Sequence, residues 1–215
     1  MLELLDEHEP GHSGTLERIR ERMRGVYPWS RHQHGHEHLG DADAWWRELT
    51  PHMAAAIAAC GIDPARSREL AGEFRARFLD SRRGWEVYPD VPAALALTRR
   101  SGWRNVILSN HVPELPRLVA DLGLGEHVDD VHTSGASGWE KPHPRAFALA
   151  LQACGEPAER WMVGDNPLAD GEGAAAAGIP AIIVRDGAAS GQATADARLA
   201  PDALAAAGII VGAPA

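Results

Sequence analysis

The chain has 215 residues, 45% of them hydrophobic and 24% charged, a composition that suits a folded protein with a sizeable core in one or two domains. Its 30 acidic residues against 21 Lys and Arg give a net charge of -9, which argues against non-specific nucleic-acid binding and against a polybasic membrane patch. That balance leaves room for a small anionic ligand held by a few local cations and backbone amides.

Residues 1–80 read as helical. Leu16, Ile19 and Met23 recur at helical spacing, residues 43–60 carry an apolar stripe, and Leu70, Phe74 and Phe78 share one face of the segment that follows. Between the first two helices lies PWSRHQHGHEHLGD, which carries His32, His34, His36 and His38. It reads as a polar loop overhanging a site; zinc or nickel binding by alternate histidines is the alternative. Trp45 and Trp46 are adjacent, so one is expected to face the helical core and the other a cleft or solvent. Cys60 and Cys154 sit among alanines and read as small buried hydrophobes. The N-terminus is charged from its third residue, and the apolar runs around 53–60 and 173–184 are too short or too rich in alanine and glycine to span a bilayer, so the expected location is cytoplasmic.

From about residue 86 the pattern changes. Pro89 to Pro92 starts a helix that Gly102 closes, and Asn105 to Ser109 reads as a short buried strand. A helix over 116–122, a weak strand over 128–132, a helix over 142–154 and a strand over 161–163 ending in Gly164 follow. A helix over 169–177, a strand over 181–184 and a helix over 202–207 with a short apolar tail complete the reading. Short apolar strands alternating with helices mark an α/β unit with a mostly parallel, Rossmann-like sheet. The expected organisation is therefore a helical domain over 1–84 and an α/β core over 85–215.

Three groups of residues stand at or beyond strand ends, where open α/β sheets bind ligands. Ser109-Asn110-His111 offers a hydroxyl and an amide that can hold phosphate or carboxylate oxygens, although Ser and Asn also end strands as plain turn formers. Lys141 precedes a helix, close to its positive end, where a lysine is electrostatically misplaced unless it serves an anion or simply pairs with solvent beside Glu140. Asp165 and Asp170 offer hard oxygen ligands for Mg²⁺; strand termination and helix capping are the plainer alternative.

The succession VILSNH, EKPHPRAF and WMVGDNPLAD, with Lys141 32 residues after Ser109 and Asp165 24 residues after Lys141, resembles motifs two, three and four of the haloacid dehalogenase-like phosphohydrolases. The helical segment ahead of them is similar to the small helical cap of one subgroup. The resemblance implies a Mg²⁺-dependent phosphomonoester phosphatase acting on a small phosphorylated molecule. It assigns phosphoryl binding to Ser109 with Asn110 in support, charge neutralisation to Lys141 and metal binding to Asp165 and Asp170; His111, next in the same turn, is placed to touch substrate or the cap. It also implies an apolar strand followed by Asp-x-Asp-x-Thr ahead of the cap, with the first Asp as nucleophile. Residues 1–15 lack that pattern; the nearest imitation is Asp6, within a segment that reads as a helix. The expectation is a central strand contributed from upstream, by a partner or by a swapped segment in a homo-oligomer. A non-catalytic binding protein and, less in keeping with the paired acids, a metal-independent dehalogenase are the alternatives.

Overall fold

A computed structural model describes residues 1–185 and 197–212. Four helices come first: α1 (Leu2–His8), α2 (Leu16–Met23), α3 (Ala42–Ala58) and α4 (Pro64–Phe78). Their starts follow from capping chemistry. Thr15, Asp41 and Asp63 each accept the backbone N–H groups that a first turn leaves unpaired, and Pro64 presets the first helical φ of α4. Their apolar faces converge on one core that includes Leu4, Leu5, Leu49, Met53, Ile57 and Leu70. Trp45 is fully buried there, whereas Trp46 turns its indole N–H onto the carboxylate of Glu114, 3.0 Å away. The adjacent tryptophans thus divide as their 100° helical offset requires, one inward and one toward the strand-bearing part of the chain.

The α/β part comprises α5 (Val91–Arg100), β1 (Val106–Ser109), α6 (Leu115–Asp121), β2 (Asp130–Thr133), α7 (Ser134–Ser137) and α8 (Pro144–Ala153). It continues with β3 (Met162–Gly164), a π-helical stretch Pro167–Glu172, α9 (Gly173–Ala176), β4 (Ala181–Val184), β5 (Arg198–Ala200) and α10 (Ala203–Gly212). Every strand pair is parallel, as the alternation of strands with helices requires. Among the described residues no helix is long and apolar enough to cross a membrane.

Three local expectations change. The stretch over 169–177 is a wide π turn followed by one turn of α-helix, because the N–H groups of Asp170 and Gly171 both reach the Asn166 carbonyl. The apolar Ile209-Ile-Val continues α10, since nothing after Ala207 breaks the helix and Ile210 is needed in the core. Strand β5 carries a charged, exposed first residue and spans three residues, too little pattern to register in the sequence.

The strands form two sheets, β1–β2 and β3–β4–β5, with no pairing between β1 and β3. Both of those strands line a single cleft of about 860 Å³, covered by residues of α5, α8 and α10. Phe147 of α8 packs in a cluster that takes in both Leu108 of β1 and Met162 of β3, so one helix face spans the two sheets. The β1 and β3 edges that flank this cleft carry backbone groups that no ladder satisfies among the described residues. Ile182 of β4 is fully buried between the layers. Ile182→Ala should lower the unfolding free energy by about 3 kcal/mol in a urea titration, from lost transfer energy and the cavity left behind.

Candidate anion-binding site at the strand ends

The site forms where β1 and β3 end. Lys141 lies three residues ahead of α8, and its Nζ donates to the Leu108 carbonyl at 2.7 Å and to Asp170 Oδ1 at 2.6 Å. Both partners of this ion pair are buried, Lys141 at 9% and Asp170 at 4% exposure, so bulk water screens it little. The sequence put Lys141 at an unfavourable helix end, and Asp170 supplies the compensation. An ammonium has three donors; two are used here, which leaves one for an incoming anion.

Asn110 fixes the backbone from which Lys141 projects. Its Oδ1 accepts the Lys141 N–H at 2.7 Å and its Nδ2 donates to the Lys141 carbonyl at 2.8 Å. This amide clamp joins the turn after β1 to the segment before α8. Asp170 Oδ2 in turn accepts the Asn166 N–H at 2.9 Å, and Asn166 Oδ1 takes the N–H groups of Leu168 and Ala169. Both oxygens of Asp170 are therefore occupied. Gly164 is required at the end of β3, because a Cβ there would collide with the Asp170 carboxylate. Ser109 ends β1 half-buried, and its hydroxyl makes no hydrogen bond among the described residues. Asp165 follows β3 on the exposed side.

His111 is turned toward the junction with the helices, its ring 5.7 Å from that of Phe78 and 5.5 Å from that of Trp85. Burial pushes its pKa below the usual histidine range, so the neutral ring predominates near pH 7. Its backbone is held by Ser134, whose Oγ accepts the His111 N–H at 3.0 Å. His143 accepts the Arg145 N–H at 3.1 Å and caps α8. Asp6 lies on α1 and contacts His12 at 2.9 Å. The segment that could have imitated a nucleophile strand is a helix because Leu4 and Leu5 are both needed in the helical core. In the histidine loop, two short 3-10 turns point His36 inward and leave His34 and His38 exposed, so the four rings do not share a face.

Sequence reasoning missed Asn166, Ser134 and Glu140. Asn166 before a proline, and Ser134 in Thr-Ser-Gly after a strand, carry ordinary capping signals that could have been read. Glu140 carries no such signal, because its burial depends on the distant loop that covers it.

Mg²⁺ is typically held by one or two carboxylates, waters and substrate phosphate. Among the described residues no group of three or more His, Cys, Asp or Glu side chains is placed to hold a metal ion. Asp165 fits such a sparse donor set as a direct ligand. Asp170 fits as a direct ligand only by giving up Lys141 or Asn166, and otherwise through water. Removing the countercharge should be costly. Asp170→Ala strands a buried ammonium and should cost about 3–5 kcal/mol in urea unfolding, whereas Asp165→Asn at an exposed position should stay within about 0.5 kcal/mol.

A profile of haloacid dehalogenase-like hydrolases matches residues 4–178. The chain is 36% identical over 200 residues to a phosphoserine phosphatase of Thermus thermophilus, covering 82% of this chain and 78% of that protein. It is 35% identical over 144 residues to the mouse haloacid dehalogenase-like hydrolase domain-containing protein 3, covering 65% of this chain and 55% of that one, little more than half its length. In structure it is similar to L-2-haloacid dehalogenase of Xanthobacter autotrophicus, with a TM-score of 0.67 over 98% of this chain and 91% of the other at 22% identity, which shows a shared fold. The chain belongs to the haloacid dehalogenase-like hydrolases.

Proposed function

We propose that the strand-end site is the phosphate-holding part of a Mg²⁺-dependent phosphomonoester hydrolase acting on a small phosphorylated molecule. The observation that carries this reading is the buried Lys141, fixed by Leu108 and Asp170 with one donor unspent, at the strand end where Ser109, whose hydroxyl makes no hydrogen bond among the described residues, follows Leu108. Names of relatives support it: besides the phosphoserine phosphatase, a phosphoglycolate phosphatase of Rhodospirillum rubrum is 34% identical over 145 residues, 59% of its length.

In this reading Lys141 and Ser109 bind the non-bridging oxygens of the phosphoryl group and hold it in line for attack. Asn110 keeps Lys141 from swinging away. Asp165 would hold Mg²⁺, with Asp170 in support, and the bound ion would neutralise phosphate charge. His111 borders the leaving group from the helical side. Attack needs a carboxylate beside Lys141. Asp170 is engaged by Lys141 and Asn166, and Asp6 is on α1, so neither is placed to attack, whereas a carboxylate on a strand seated between β1 and β3 would be. A homo-oligomer that exchanges such a strand would satisfy the same gap.

A second reading, a non-catalytic phosphate-binding protein, is favoured by the unpaired β1 and β3 edges. Assay of the polypeptide expressed from its natural genomic context, with its N-terminus determined, separates the two. Phosphate release from phosphoserine or phosphoglycolate should require Mg²⁺ and fall at least ~100-fold in Lys141→Ala. Tight phosphate binding without turnover would support the second reading. Metal-independent halide release from a 2-haloacid would overturn both.

A further inference from the structure

Glu140 is fully buried, a rare state for a carboxylate, and it is the residue before Lys141. Its Oε1 lies 3.3 Å from Nε2 of His36, itself buried. His36 belongs to the loop between α2 and α3, more than a hundred residues away in sequence, so the contact joins the helical part of the chain to the anion site. The loop is closely seated. The His36 N–H donates to the Gly138 carbonyl at 2.8 Å, and Trp139 Nε1 donates to Glu37 Oε1 at 2.7 Å. Gly138 has φ +77°, and a Cβ there would stand 2.6 Å from the Glu37 backbone, so only glycine allows this approach.

Neither carboxylate oxygen of Glu140 and neither ring nitrogen of His36 has a well-aligned hydrogen bond among the described residues. Burial raises the Glu140 pKa to about 7, against smaller opposing pulls from Ser134 and Lys141. Burial likewise lowers that of His36, with smaller contributions from the Ser134 backbone, His38, Glu37 and Arg31. The face presented by α3 is the ring of Trp45, 5.8 Å from that of His36, and it brings no charge. The pair therefore stays docked most cheaply with both groups neutral, the Glu140 O–H directed at the imidazole.

We propose that Glu140 is a positioning residue: through His36 it fastens the 35–40 loop to the segment that presents Lys141, and its charge sets how strongly Lys141 attracts an anion. The second half rests on the function proposed for the site; the first half does not. Once Glu140 loses its proton, a buried negative charge adjoins Lys141 and competes with any anion for it. The loop seated on residues 138–140 and the Lys141 cation are thereby coupled through one carboxyl group.

The test uses sulfate, whose charge is constant near neutrality, as the anion probe in calorimetric titrations at pH 6 and pH 8.5. Between those values wild-type affinity should fall about fivefold more than that of Glu140→Gln, in which the side chain stays neutral. Equal pH dependence in the two proteins overturns the charge coupling. Should Glu140→Gln fail to fold, the ¹³C carboxyl resonance of Glu140 in the wild-type protein decides. A midpoint near 7 supports the neutral buried pair, and one between about 4 and 5 overturns it. Amide exchange at His36 should speed at least tenfold in Glu140→Ala if the contact fastens the loop, and an unchanged rate refutes the fastening. Absence of sulfate binding in the wild-type protein at both pH values sinks the anion site and the charge coupling with it, while the exchange result still judges the loop contact.

Discussion

The ion pair between Lys141 and Asp170 is the constraint around which the strand-end region is organised. A buried ammonium is tolerable only with a countercharge and hydrogen-bond acceptors, and two elements distant in sequence meet to provide them. The carbonyl of Leu108 comes from β1 and the carboxylate from the π turn after β3. Because those strands belong to different sheets, the pair is a polar link between the two halves of the α/β layer. It works alongside the apolar link made by Phe147.

That constraint explains several local choices that propensity alone does not. The widened turn over 167–172 lowers helix quality, yet it swings Asp170 beneath Gly164 and toward Lys141. Such π turns recur where a side chain must be aimed instead of merely carried. The amide clamp by Asn110 serves the same end from the other side. A site built this way is stiff in its cation and open in its hydroxyl and outer carboxylate.

Much of this was legible in the sequence. Strand ends at Ser109 and Gly164, the helical first third and the ordered Ser, Lys and Asp positions follow from apolar runs, glycine and proline punctuation and the motif spacing. What stayed hidden depends on long-range packing. No local pattern says that Glu140 is buried and faces His36, because the residues that bury it lie in another part of the chain. The pairing of Lys141 with Asp170 was hidden for a related reason: both were legible as charges at strand ends, but their mutual distance is set by the π turn. Strand β5 escaped because three residues with an exposed charge carry too little alternation to register.

The contact of Trp46 with Glu114 bears on how the chain reaches this arrangement. Arg75 of α4 joins the same carboxylate at 2.8 Å, so the start of α6 is tied to two helices that precede it by 39 and 68 residues. Helices α1–α4 are built largely from local contacts and can assemble quickly, whereas parallel strand pairing must await loop closure. The completed helical unit can then act as a template, capturing the first crossover through Glu114 before the second sheet is in place.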